Sequence, residues 1–332
     1  MQTRLALVFA LALAIPGQSR AQALPESLPI AAGPQGSINY AIAAGIASVV
    51  ARHTPMKSIV IPYAGTALSL PMVSQGDPPV SVNDGGSVYQ AYAGERQFDR
   101  AFPNLRLLSI GSPNNLTTAV KEDSPIKTGA DLRGKRVAAK FPALPSCEVH
   151  TEALLANFDL GWNDVRPVPV TNIVAAAQAL ATGQADALVC ASPAIAALRE
   201  VHIRTPLRFI SVDPAPAAME RARKIYKYNE KAILLKQGAM GWLPGDTWLV
   251  DFPWYMFSNA AISDDTAYGI VKAIWDYNDE LGDIHPILKQ WTRAGMATTD
   301  ATIPFHPGAI RFYKEAGVWS AALDEVQKKT MR

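Results

Sequence analysis

Little in this chain points to a charged partner, a metal or a catalytic centre. Only 18% of its 332 residues are charged, and 31 Lys and Arg stand against 29 Asp and Glu. A nucleic-acid binder would carry a basic stripe, and none is present. There are only two cysteines, Cys147 and Cys190, too few for a disulfide-dense scaffold or a four-cysteine zinc site. Cys147 and His150 lie at i, i+3 and can share a helix face. With only Cys190 to join them they form a poor zinc signature, so no metal site is assigned. The five histidines, His53, His150, His202, His285 and His306, are scattered. There is no Gly-x-Ser-x-Gly elbow, no His-Glu-x-x-His and no P-loop, so no catalytic residue and no cofactor are assigned.

Long apolar runs are also lacking, with one exception. Leu5 to Ile15 is unbroken but spans 11 residues, well short of the ~20 a transmembrane helix needs. Arg4 precedes it, Pro16 and Gly17 follow, and then comes Ala21-Gln22-Ala23. That is the pattern of a secretory signal peptide, residues 1–23, cleaved after Ala23; the alternative is an uncleaved anchor. The next residue is Leu24, not Cys, so no lipid anchor is implied there. The expected product is a periplasmic protein of 309 residues. Losing Arg4 and Arg20 reduces the 31 basic residues to 29, equal to the 29 acids. In an oxidising compartment the two cysteines permit one disulfide closing a 43-residue loop, worth ~4 kcal/mol in the chain-entropy model. Two separate buried thiols are the other possibility.

What is present is a core-rich chain, 49% hydrophobic, patterned as alternating strands and helices. Leu28 to Ala32 reads as a strand ending in Gly33-Pro34-Gln35-Gly36. Ser37 is the expected N-cap of a helix carrying Ile38, Ile42, Ile46, Val49 and Val50 at helical spacing. Ser58 to Tyr63 is a second strand ending at Gly65-Thr66, and Pro79 to Val82 a third ending at Asn83-Asp84-Gly85-Gly86. Leu105 to Ile110 and Thr117 to Lys121 read as two further strands. The sequence then restarts. A helix begins at Pro145-Ser146-Cys147 and reaches about Asn157. An Ala-rich helix spans Ile173 to Ala181, and Ala185 to Cys190 is a strand. Asp264 and Asp265 open a helix to about Leu281, and Pro307 opens the last one.

This alternation predicts an α/β fold with mostly parallel sheets. Two units are expected: a discontinuous lobe 1 of residues 24–121 plus 246–332, and a lobe 2 of residues 122–245. Two chain crossings would leave a cleft between them. Ligands of such sheets bind beyond the carboxyl ends of strands, where helix N-termini favour anions. Trp242, Trp248 and Trp254 cluster with Phe252, Tyr255 and Phe257, either as an aromatic wall for a ligand or as core. Phe257 and Trp254 read as core.

Several stretches resemble one family. They are Gly33 to Tyr40, Gly65-Thr66, Ser124-Pro125-Ile126 with Asp131 to Val137, Ala179-Leu180 with Gly183 and Asp186-Ala187, Pro244 to Trp248, and Ile303 to Ala309 continuing to Tyr313, Glu315 and Gly317. In this order they resemble the solute-binding proteins of tripartite ATP-independent periplasmic (TRAP) transporters, in the TAXI subgroup. The resemblance implies the two-lobed periplasmic-binding-protein (type II) fold, hinged about its cleft. It also implies a monomer that binds a small organic solute, expected to be a carboxylate, and delivers it to integral membrane transporter subunits. The implied ligand-binding residues are Gly36, Ser37, Asn39, Tyr40, Gly65, Thr66, Asn83 and Asp84 from lobe 1. Ser146, Cys147, Glu148, Thr171 and Ser192 are implied from lobe 2, and Trp248 by its family position. If lobe 2 is wound as the family implies, Cys147 and Cys190 lie at strand ends facing the cleft, where a disulfide fits. Ala143 to Glu148 and Val250 to Trp254 depart from the family pattern, and Glu148 adds negative charge near the ligand. The other readings are a binding protein for an ATP-driven importer or a membrane sensor, and an enzyme on the same fold.

Overall fold

The computed structural model describes residues 23–226 and 231–331. The expected signal peptide, Ala23 apart, lies outside the described residues. Among those described, no helix is long and apolar enough to cross a membrane.

The first unit follows the hydrophobic pattern closely. Strand β1 (Ser27–Ala32) leads through the Gly-rich turn into α1 (Ile38–His53). Ser37 caps α1, its side chain accepting from the Tyr40 N–H, and the apolar stripe Ile38, Ile42, Ile46, Val49 is buried. Strand β2 (Lys57–Pro62), α2 (Thr66–Gln75), β3 (Val80–Asp84) and α3 (Gly85–Ala93) follow. Strands β2, β1 and β3 are parallel neighbours in that order, so their three polar turns share one sheet edge.

Strand β4 (Leu105–Lys121) is continuous across residues 111–116, where two strands and a break are expected. Gly111, Pro113 and the two asparagines read as a turn, but the segment is held by neighbours. Asn115 donates to Asp251 (3.0 Å), and the Ser112 hydroxyl donates to the Ile287 carbonyl (2.7 Å). Pro113 lies opposite Pro253 beside a register irregularity, the kind of place where strands tolerate proline.

The second unit contains β5 (Arg136–Ala139), α4 (Pro145–Asn157), β6 (Arg166–Pro169), α5 (Ile173–Ala181), β7 (Ala187–Ala191), α6 (Ala196–Arg204), β8 (Leu207–Ile210) and α7 (Pro216–Ile225). Strand β9 (Lys231–Leu235) pairs with β10 (Thr247–Asn259), which runs back into the first sheet. The residues after β10 form α8 (Asp264–Asp276), α9 (Asn278–Ile284), α10 (Pro307–Glu315) and α11 (Ala321–Thr330).

The long helix expected from Asp264 stops at Asp276. Side chains take the carbonyls that would continue it: Arg293 donates to the Trp275 carbonyl (2.7 Å) and the Asp276 carbonyl (3.3 Å). The helix opened by Pro307 is not the last, since α11 follows it.

The two long strands make the molecule two-lobed. In the first sheet β10 is antiparallel to β3 and β4; in the second β4 is antiparallel to β7 and β8, while β5 is parallel to β6 and β7. Each sheet is thus parallel apart from the strand that crosses into it. Because Thr117–Lys121 pair with β7 and β8, the crossing falls inside β4.

Candidate functional site

The turn after β1 and the start of α1 face the start of α4 across a cavity of about 60 Å³. Ser37, Ile38 and Asn39 line it from α1 and its cap, Asn83 and Asp84 from the end of β3, and Asn114, Leu116 and Trp254 from the crossing strands. The opposite wall is Leu144, Ser146, Cys147 and His150 around α4, with Ile173, Cys190 and Ile195. Both α1 and α4 point their N-termini at this space, so first-turn N–H groups without intrahelical partners face it.

The polar residues of the first wall hold one another. Asn39 donates through Nδ2 to Asn83 Oδ1 (3.2 Å), Asn83 donates to Ser81 Oγ (3.1 Å), and Ser81 donates to the Ala31 carbonyl (2.9 Å). This chain ties the α1 amide to the floor of the sheet. Asp84 caps α3, one carboxylate oxygen accepting from the Ser87 N–H at 2.8 Å. Asn114 Oδ1 and Trp254 Nε1 are buried without a hydrogen-bond partner among the described residues. Buried polar atoms in that state are uncommon and need explaining.

On the opposite wall Cys147 and Cys190 are disulfide-bonded, with Cα atoms 5.5 Å apart. The bond excludes both thiols as metal ligands. Cys190 lies in β7 as expected, but Cys147 lies in the first turn of α4 rather than at a strand end. His150, one turn on, stacks on Phe252 with ring centroids 4.3 Å apart.

The lobes touch beside the cavity. The Ala197 N–H donates to the Gly36 carbonyl (3.3 Å). Gly65 lies so close to the loop before α4 that an added Cβ would sit 1.7 Å from the Ala143 carbonyl oxygen.

Of the residues the resemblance implies, Ser37, Asn39, Asn83, Asp84, Ser146 and Cys147 line the cavity. Gly36 and Gly65 stand at the interlobe contacts. Tyr40 supplies its N–H to the cap and packs its partly buried side chain against the core, and Thr66 is buried at the start of α2. Glu148 is turned away, because one step along α4 from Cys147 rotates it outward, where it pairs with Lys140 at 2.9 Å. Thr171 is exposed, its carbonyl accepting from the Ala143 N–H. Ser192 is buried, and its hydroxyl accepts from the Ala194 N–H.

Trp248 does not line the cavity, whereas Trp254, read as core, does. The two lie six residues apart on β10, ~20 Å at strand rise, and only Trp254 reaches β3, opposite Asp84. Asn114 was hidden by the apparent break in β4. His150 could have been found from its i, i+3 spacing to Cys147.

Two crossing strands, two sheets and a cavity between helix N-termini define the two-lobed periplasmic-binding-protein fold. The chain belongs to the NMT1-like family, whose model matches residues 30–317. Among solved structures it is similar to MatC of Rhodopseudomonas palustris with bound malate: 15% identity, 92% of this chain and 97% of that one covered, TM-score 0.56. It is also similar to the periplasmic aliphatic sulphonate binding protein SsuA of Escherichia coli, at 16% identity over 92% and 84% of the two chains, TM-score 0.50.

Proposed function

We propose that this chain is an extracytoplasmic solute receptor that captures a small organic solute between its lobes and delivers it to integral membrane transport subunits. The observation that carries the reading is the cavity itself, concave and walled by residues of both lobes, a preferred setting for a small ligand. In this reading lobe 1 and lobe 2 correspond to the expected 24–121 plus 246–332 and 122–245, with the first boundary moved back into β4, before Thr117, and residues 1–23 are removed on export to the periplasm. The receptor works as a monomer and carries out no reaction.

The finer assignment is a TAXI-type receptor serving TRAP membrane subunits, which rests on the sequence resemblance. A carboxylate solute follows from the same resemblance, and the malate held by MatC agrees with it. Among the described residues no Lys or Arg lines the cavity, so a carboxylate would be held by the first-turn N–H groups of α1 and α4. Ser37, Asn39, Asn83 and Ser146 would add hydrogen bonds, while Gly36 and Gly65 would let the lobes meet. Tighter binding to the closed state than to the open one would drive closure.

Native mass spectrometry of the protein purified from a periplasmic extract tests this. A small non-covalent passenger at about one per chain is expected, and it should raise the unfolding temperature when added back. Conversion of the passenger into a product would overturn the receptor reading in favour of an enzyme.

A further inference from the structure

We infer that the bound solute presents a protonated amino group to Asp84. The inference rests on the receptor reading of the same cavity and names the chemistry of one end of its ligand.

Among the described residues Asp84 is the only Asp or Glu lining the cavity, and no Lys or Arg lines it. It is 4% exposed. Among the described residues its single hydrogen bond is the one its carboxylate accepts from the Ser87 N–H as a helix cap, and its second oxygen has no partner. The Ser87 N–H and the N-terminus of α3 offset part of the cost of burying this carboxylate, and a cation at its second oxygen would offset more of it. Asn114, across β10 from Asp84 and lining the same cavity, is 6% exposed and holds an amide oxygen without a donor among the described residues. Both free groups are acceptors, and an ammonium group brings three donors and no acceptor.

The ladder places Trp254 directly opposite Asp84, and its indole lines the same cavity. An indole face attracts a cation more strongly than any other side-chain ring. An anionic head group at this end would instead meet Asp84 with no Lys or Arg among the described lining residues to offset the repulsion.

The rest of the lining shapes the solute's body. Ile38, Leu116, Leu144, Ile173 and Ile195, with the disulfide, make it apolar. At about 60 Å³ the cavity is well below the ~150 Å³ that admits benzene, so the body is a few heavy atoms. A short alkylamine and a small amino acid share this chemistry. The amino acid would also give the partnerless Trp254 Nε1 an acceptor.

The test is titration calorimetry of the purified protein with four compact probes: propylamine, alanine, propionate and 1-propanol. Propylamine or alanine should bind at least about tenfold more tightly than propionate and propanol. Which of the two binds more tightly identifies the source of the amine. Asn caps helices as well as Asp does, so D84N should keep the unfolding temperature and weaken amine binding about tenfold or more. N114D, which adds a second carboxylate, should tighten it. Propionate or propanol binding better than both amines overturns the inference, as does a D84N variant with unchanged amine affinity. Either result leaves the receptor reading intact. If no probe binds, the inference is lost, and the co-purified passenger decides the receptor reading on its own.

Discussion

Gly65 shows how much one missing methyl group decides. Its backbone is extended, a conformation open to any residue, so space rather than strain selects glycine there. A Cβ would meet the Ala143 carbonyl at 1.7 Å, and backbone cannot yield as a side-chain tip can. Gly65→Ala should hold the lobes apart and weaken binding of the co-purified solute about tenfold, with little change in unfolding temperature; calorimetry and thermal melts check the two. Asp251 carries the clearest pH signature. Burial pushes its carboxyl up to about 6, partly offset by Lys231. Between the ordinary carboxylate range and about pH 6 the folded protein keeps a proton that the unfolded chain has lost, so stability falls as pH rises through that window. Asp251→Asn should flatten that fall and raise stability at neutral pH by on the order of 1 kcal/mol, read from denaturation between about pH 4 and pH 7. The sequence pattern brought Ser37, Asn39, Asn83 and Asp84 to the cavity because they lie at or just beyond strand ends. It misplaced Glu148 and Trp248, whose directions depend on helix phase and strand length.

At the scale of elements, the Cys147–Cys190 bond pins the start of α4 to β7, where both residues form cavity wall. Replacing both by Ser should cost up to ~4 kcal/mol of stability by the 43-residue loop it opens and should also weaken solute binding, because α4 would no longer be anchored at its N-terminus. Denaturant unfolding with and without reductant checks the first effect, and titration the second. Helices such as α1 and α5 were legible in the sequence, since their caps and periodicity are local. The continuity of β4 and the break after α8 were not. Both are set by partners far along the chain, Asp251 and Ile287 in one case and Arg293 in the other.

For the whole molecule, a solute held between the lobes makes binding and stability one measurement. A solute that binds only the folded state at about 100 times its Kd should add about 2.7 kcal/mol, read as a rise in unfolding temperature. D84N should lose much of that rise for an amine-bearing solute while keeping its unliganded melt. A rise in D84N equal to that of the unmodified chain would remove Asp84 from the site.

The sequence by itself determined the α/β alternation, the expectation of two lobes, the polar turns along one sheet edge and four polar residues of the first wall, Ser37, Asn39, Asn83 and Asp84. These depend on periods of 2 and 3.6 residues and on local turn chemistry, which any stretch of chain carries within itself. Only the tertiary structure decided which residues meet across the cleft: that Cys147 and Cys190 bond, that Trp254 rather than Trp248 faces Asp84, and that Asn114 joins them. Those are relations between segments 30 to 170 residues apart. They follow from how two crossing strands set the lobes against each other, and no local pattern encodes that.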